Sequence, residues 1–196
     1  MRLSNSTAEK RHKWLIPLLD AYAIIDEGVD VTIREHEIKR GVKLACHMGC
    51  SSCCKQSDIP LYPLEINGLL WYVIEELSDE ARASIRVRFE EGFRDSCLFL
   101  IDHSCAVHAM RPIACRLYNV FNKPCADGED PFQRRRADVM TPLPDYMERA
   151  FFEMLPYYGI TDEIERYYAI ESGMLHEKAV NLRAYDWARL KALLEE

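Results

Sequence analysis

Apolar residues return every three or four positions through most of this chain, and in one stretch the regularity fails. Trp14, Leu15, Leu18, Leu19, Tyr22 and Ile25 fall on one helical face, with Gly28 as the expected stop. Pro17 inside that pattern predicts either a kink or a helix that begins there. A second helix is predicted over 32–44, with Ile33, Ile38 and Val42 turned inward. After a short extended piece at 58–62, Pro63 suits the first turn of a helix carrying Ile66, Leu69, Leu70, Val73 and Ile74. Ser78, followed by Asp79 and Glu80, opens an amphipathic run through Phe89 that gives way near Gly92. Two further helices are predicted. One covers 144–155, with Tyr146, Met147, Ala150, Phe151 and Met154 on one side. The other covers 178–194, with Trp187, Leu190 and Leu194 at helical spacing.

From 95 to 131 the periodicity is lost, and Pro112, Pro124, Gly128 and four cysteines take its place. That composition predicts loops and short turns organised around a ligand. No repeat of solenoid length and no low-complexity linker is visible. The expected fold is mainly α: a single helical domain over 1–196, with an irregular cysteine-rich metal-binding insert at 46–125 and flanking helices in 1–45 and 132–196.

Composition narrows the function classes. A hydrophobic content of 48% with 29% charged residues suits a folded domain with its own core. The net charge of −7 argues against broad contact with a nucleic-acid backbone. Residues 1–13 are polar and charged without an apolar leader, and the apolar runs at 14–19 and 69–74 are too short for a membrane span. The chain is therefore expected to be soluble and cytoplasmic, with neither nucleic acid nor membrane as partner, in a compartment where disulfides rarely persist.

Against that background the eight cysteines become informative. Cys46, Cys50, Cys53 and Cys54 crowd into nine positions, and Cys97, Cys105, Cys115 and Cys125 follow in the irregular stretch. Reduced thiols gathered this densely point to metal: close thiolates repel one another, and a cation removes the penalty while lowering their pKa values. Gly49 permits the backbone torsions a chain needs to wrap an ion. Cys53 and Cys54 are neighbours whose side chains leave the backbone in different directions, so two centres are expected, or one of the pair is not a ligand. Eight sulfurs suffice for two four-thiolate sites. Buried apolar cysteines and a disulfide framework are the blander readings, and the density of the block disfavours both.

The spacing Cys46-x3-Cys50-x2-Cys53 matches that of radical S-adenosylmethionine enzymes, but the rest of the chain lacks the strand–helix alternation of their barrel. A closer likeness takes in more residues. Cys46-x3-Cys50-x2-Cys53-Cys54, Cys97-Leu98-Phe99-Leu100, Cys105, Arg111-Pro112-x2-Cys115-Arg116 and Tyr118 together resemble the YkgJ-type cysteine-cluster family, described as zinc- or iron-chelating. The likeness spans about 46–125 and includes every cysteine. Leu98, His108 and Ser51 stand where that family often has proline, tyrosine and glycine, and none of these departures removes a thiol. The resemblance implies a metal-bound domain. Flagellin lysine methylases carry a related pattern, which extends the analogy to S-adenosylmethionine as a further cofactor.

Other residues have plainer alternatives. Arg111 and Arg116 flank Cys115 and are expected to bind the cofactor by offsetting thiolate charge, rather than to lie on the surface. His47 and His108 could ligate zinc, yet solvent contact or hydrogen bonding suits them better where eight sulfurs are present. Glu65 stands where a helix N-terminus favours an acid, which explains it without a ligand role. The run Arg134-Arg135-Arg136 reads as a solvated face, and the Tyr157–Tyr158 and Tyr167–Tyr168 pairs read as core and edge aromatics. No catalytic triad, phosphate loop or dinucleotide fingerprint is present, so an enzymatic role is left open. The favoured function is an iron–sulfur protein with a redox or small-molecule role. The alternative is structural zinc serving a scaffold or a thiol switch.

Overall fold

The computed structural model describes residues 5–47, 49–56, 58–93, 95–140 and 143–195. The first four residues of the polar N-terminal segment thus lie outside the described residues. In chain order the elements are α1 (Ser6–Arg11), α2 (Leu15–Arg40), β1 (Pro60–Leu61), α3 (Pro63–Trp71), α4 (Asp79–Glu91), β2 (Leu100–Ile101), β3 (Ser104–Cys105), α5 (Ile113–Leu117), α6 (Pro131–Arg134), α7 (Pro144–Met154), α8 (Glu163–Glu171), α9 (Met174–Glu177), β4 (Val180–Asn181) and α10 (Ala188–Glu195). The molecule is mainly α, with two short antiparallel strand pairs among the described residues. No helix among the described residues is long and apolar enough to cross a membrane.

The spine is α2, whose 26 residues span about 39 Å at the usual helical rise. Leu15, Leu18, Leu19, Tyr22, Ile25 and Val29 form its buried stripe. The two helices expected over 14–25 and 32–44 are one continuous element. Pro17 sits in the first turn, where its missing N–H costs no intrahelical bond. Gly28 is not a stop. It is the point where α7 crosses closely, and a Cβ there would lie 2.5 Å from the Tyr146 ring. The actual stop is Gly41, at φ 65°, whose N–H closes on the Glu37 carbonyl.

Helix α3 packs on α2 through Gly68, which leaves room for Leu18 and Met110. Its helical path continues as a π-helical turn, Tyr72–Glu76, before Ser78 caps α4 by accepting from the Ala81 N–H. The helix expected over 178–194 is a correction. Val180 and Asn181 pair with Leu61 and Pro60 as a strand, and only Ala188–Glu195 is helical. The Leu182 N–H donates to Ile59, and Trp187 meets Phe99 edge-on at 5.2 Å, with its indole N–H on the Leu182 carbonyl. Trp187 therefore packs on the second cysteine segment instead of marking a helical stripe.

Candidate metal centre

The cysteine segments are held together by backbone bonds that the sequence pattern does not reveal. The Ala45 N–H donates to Val120 at 2.8 Å and the Asn122 N–H to Lys43 at 2.9 Å, so the strand-like approach to Cys46 lies against the segment after Cys115. Cys53 and Cys54 sit in a 3-10 turn, Ser52–Lys55, and the Cys97 N–H donates to the Cys54 carbonyl at 2.7 Å. Cys105 is placed by a two-residue hairpin turn in which Asp102 and His103 take φ of 47° and 61°, left-handed torsions that β2–β3 closure requires.

Two polar anchors fix α5, which carries Cys115. Glu65, wholly buried, accepts from the Ile113 N–H at 2.7 Å and from the Tyr62 N–H at 3.0 Å, tying the starts of α5 and α3 to one carboxylate. Burial pushes this carboxyl up to about 7, against the pull of those donors. Its helix-start position agrees with the plainer sequence reading. Arg116 is 5% exposed; its Nη1 donates to both oxygens of Asp26, and its other nitrogens donate to the Arg111 and Ala109 carbonyls. The guanidinium also lies 4.0 Å over the Tyr22 ring. Arg116 thus clamps the Arg-Pro turn onto α2 and does not line the cavity described next.

All eight cysteines line one cavity of about 670 Å³, although they come from segments far apart in the chain. Every one is a free thiol. Two neighbourhoods can be distinguished. Cys46, Cys50 and Cys125 influence one another, as do Cys97, Cys105 and Cys115, and Cys53 borders both sets with Cys54 beside it. Burial raises the thiols of Cys46, Cys105, Cys115 and Cys125, and pushes Cys97 up to about 12. Cys53 is raised first by hydrogen bonding with Cys54 and then by burial.

Polar groups around the thiols differ in what they do. Arg111 lines the cavity, holds His108 Nε2 through Nη1 at 2.8 Å, and pulls the Cys53 and Cys105 thiols downward in pKa. His108 is itself lowered by burial and by the two arginines, so it accepts that bond as a neutral ring. His47 is exposed and bonds the Ala45 carbonyl through Nδ1. Arg135, read from sequence as part of a solvated run, is only 11% exposed at its side chain. It pairs with Glu129 at 2.8 Å and Asp138 at 3.1 Å, and its Nη2 reaches the Cys125 sulfur at 3.7 Å. The acids at 129 and 138 on either side were the available signal. Among the tyrosines, the Tyr157 and Tyr158 hydroxyls bond α3, whereas Tyr167 and Tyr168 are exposed.

The donor set fits a thiophilic metal. A cation relieves both the burial cost and the mutual repulsion that keep these thiols protonated. As they stand, no three His, Cys, Asp or Glu side chains among the described residues are grouped closely enough to hold an ion. No curated protein and no solved structure matches the chain significantly. Residues 45–137 do match a family model, CxxCxxCC, whose description reads "Putative zinc- or iron-chelating domain". That stretch contains all eight cysteines and is similar to the cysteine-cluster family that the motif resembles.

Proposed function

We propose that the chain holds an iron–sulfur cluster in the cysteine-lined cavity and serves a redox or small-molecule role through it. One observation carries the reading: eight thiols face a single continuous space of about 670 Å³, room for an inorganic body larger than one ion. Cys53, Cys97, Cys105 and Cys115 are the first candidates to hold it, since each borders the others. Arg111 offsets the negative charge such a centre brings. The cluster, when bound, supplies electron transfer. The chain's own residues exclude water with Phe99, Val107 and Leu182 and keep the sulfurs beside a fixed cation.

Zinc is the second reading, favoured by the division of the thiols into two neighbourhoods, which suits two closed tetrahedral sites. Anaerobic purification with elemental analysis and a visible spectrum separates the two. Iron with acid-labile sulfide in a brown protein is the expected result. A colourless protein with stoichiometric zinc overturns it. Adding S-adenosylmethionine to the same preparation tests that cofactor, whose binding would change the spectrum.

A further inference from the structure

The Tyr118 hydroxyl is buried and has no hydrogen-bond partner among the described residues. Such an orphan needs a reason, because leaving a buried hydroxyl unpaired is costly. Tyr118 follows α5 directly, three residues after Cys115, and lines the cavity. The groups that bear on its hydroxyl are the Asp130 carboxylate and the sulfurs of Cys125, Cys53 and Cys46. Asp130 already accepts from the Phe132 N–H at 2.9 Å, in capping α6. Neither Asp130 nor any sulfur accepts from it as the chain stands, and of these groups only the sulfurs would change in charge on binding a metal. A neutral thiol accepts weakly, whereas a metal-bound thiolate is anionic and accepts well.

We propose that Tyr118 is a positioning residue whose hydroxyl donates a hydrogen bond to a metal-bound thiolate of the Cys46, Cys53 and Cys125 group. This inference rests on the metal-holding reading above. It also assigns the two sides of the cavity different donors. Arg111, whose Nε is likewise buried without a partner, serves the Cys53 and Cys105 side with a cation. Tyr118 serves the other side with a neutral donor. A bond from a neutral donor stabilises the thiolate against protonation without adding charge, so Tyr118 tunes how tightly that side holds its metal.

The test uses the full chain, anaerobic, loaded with Co(II), whose sulfur-to-metal charge-transfer band reports on the thiolates. In Tyr118→Phe the band should move to lower energy, because a sulfur relieved of its hydrogen bond is easier to oxidise. Chelator competition should show Co(II) held about 10–100-fold less tightly. The metal-free variant should be as stable as the parent or more so, since the hydroxyl makes no bond before loading. Tyr157→Phe, whose hydroxyl accepts from Asn67 at 2.6 Å, should leave the band in place. An unmoved band and unchanged affinity in Tyr118→Phe would overturn the assignment, as would lost stability of the metal-free variant. A phenolate-to-iron band in ferric-loaded parent protein, absent from Tyr118→Phe, would overturn it by making the residue a ligand. If the parent chain takes up no metal at all, the reading beneath fails instead, and the two failures are distinguishable.

Discussion

The α2–α3–α7 side and the cysteine side of this molecule are stabilised on different principles. Around α2, side chains such as Leu15, Leu18, Ile25, Leu64, Leu69 and Met154 are completely buried, and the interactions are numerous and individually modest. The cysteine side has little regular structure, only two-residue strands and one-turn helices, and it lines a cavity with thiols while adding Leu98, Phe99, Met110 and Phe121 to the same core. Its thiols are placed by polar anchors as well as by that core, chiefly Glu65 on α5, Arg116 on Asp26, and Ala45 against Val120. On that contrast the helical body is expected to fold without metal, whereas the placement of the cysteines is expected to depend on the polar anchors and on what the thiols bind.

The harshest way to break that contrast is to remove the metal. With a chelator, amide hydrogen exchange over 97–125 should quicken by orders of magnitude, while α2 and α7 keep their protection; equal loss across both regions would refute independent stabilisation. Cys50→Ser sharpens the same point, with lower metal content by elemental analysis and an unchanged helical spectrum. Unaltered occupancy would remove Cys50 from the ligand set. The next effect is Arg116→Ala, which leaves the Ala109 and Arg111 carbonyls without their donor and Asp26 without its partner. Asp26 is partly solvated, so about 3 kcal/mol is expected, near the lower end for broken buried pairs. Denaturant titration measures it, and metal content should fall too, because the clamp sets Cys115.

How much of this was legible depended on periodicity. Long helices and the cysteine block announce themselves, since both are patterns within a short window. Gly28 misled because glycine in a helical pattern signals a stop as readily as a close crossing, and the crossing partner, Tyr146, is more than a hundred residues away. The 178–194 reading failed because Trp187 is buried against Phe99, and a two-residue strand is too short to show alternation. Arg111 and Arg116 both neighbour Cys115, and nothing local says that one lines the cavity while the other grips Asp26. That division follows from where α2 passes.

Glu65 allows a titration of the anchor. Its carboxyl is raised from the usual 4.5 to about 7, so between those values the folded chain holds a proton that the unfolded chain has lost. Stability from this group therefore falls as pH rises, by about 2 kcal/mol between pH 5 and pH 7. Urea denaturation should show that decline in the parent chain. Glu65→Gln, uncharged throughout, should lack it, and parallel pH profiles would show that Glu65 is not the source.

The smallest effect belongs to the helical body and tests the contrast from its other side. In Gly28→Ala the new methyl meets the Tyr146 ring, all of whose nearest atoms lie within 3 Å of it. The backbone at this position is helical, so alanine brings no torsional strain and even gains in helix propensity. The steric cost must exceed that gain, and the half-buried Tyr146 can yield by tilting. A net loss of about 1 kcal/mol follows. Val29 and Asp30, the next two residues of α2, line the cavity, so the substitution is made beside the metal site and yet on its scaffold. If the two regions are energetically separate, the melting temperature drops while metal affinity holds within error. A matching loss of affinity would mean that α7 positions the thiols through α2, and the division drawn here would have to be redrawn around that helix pair.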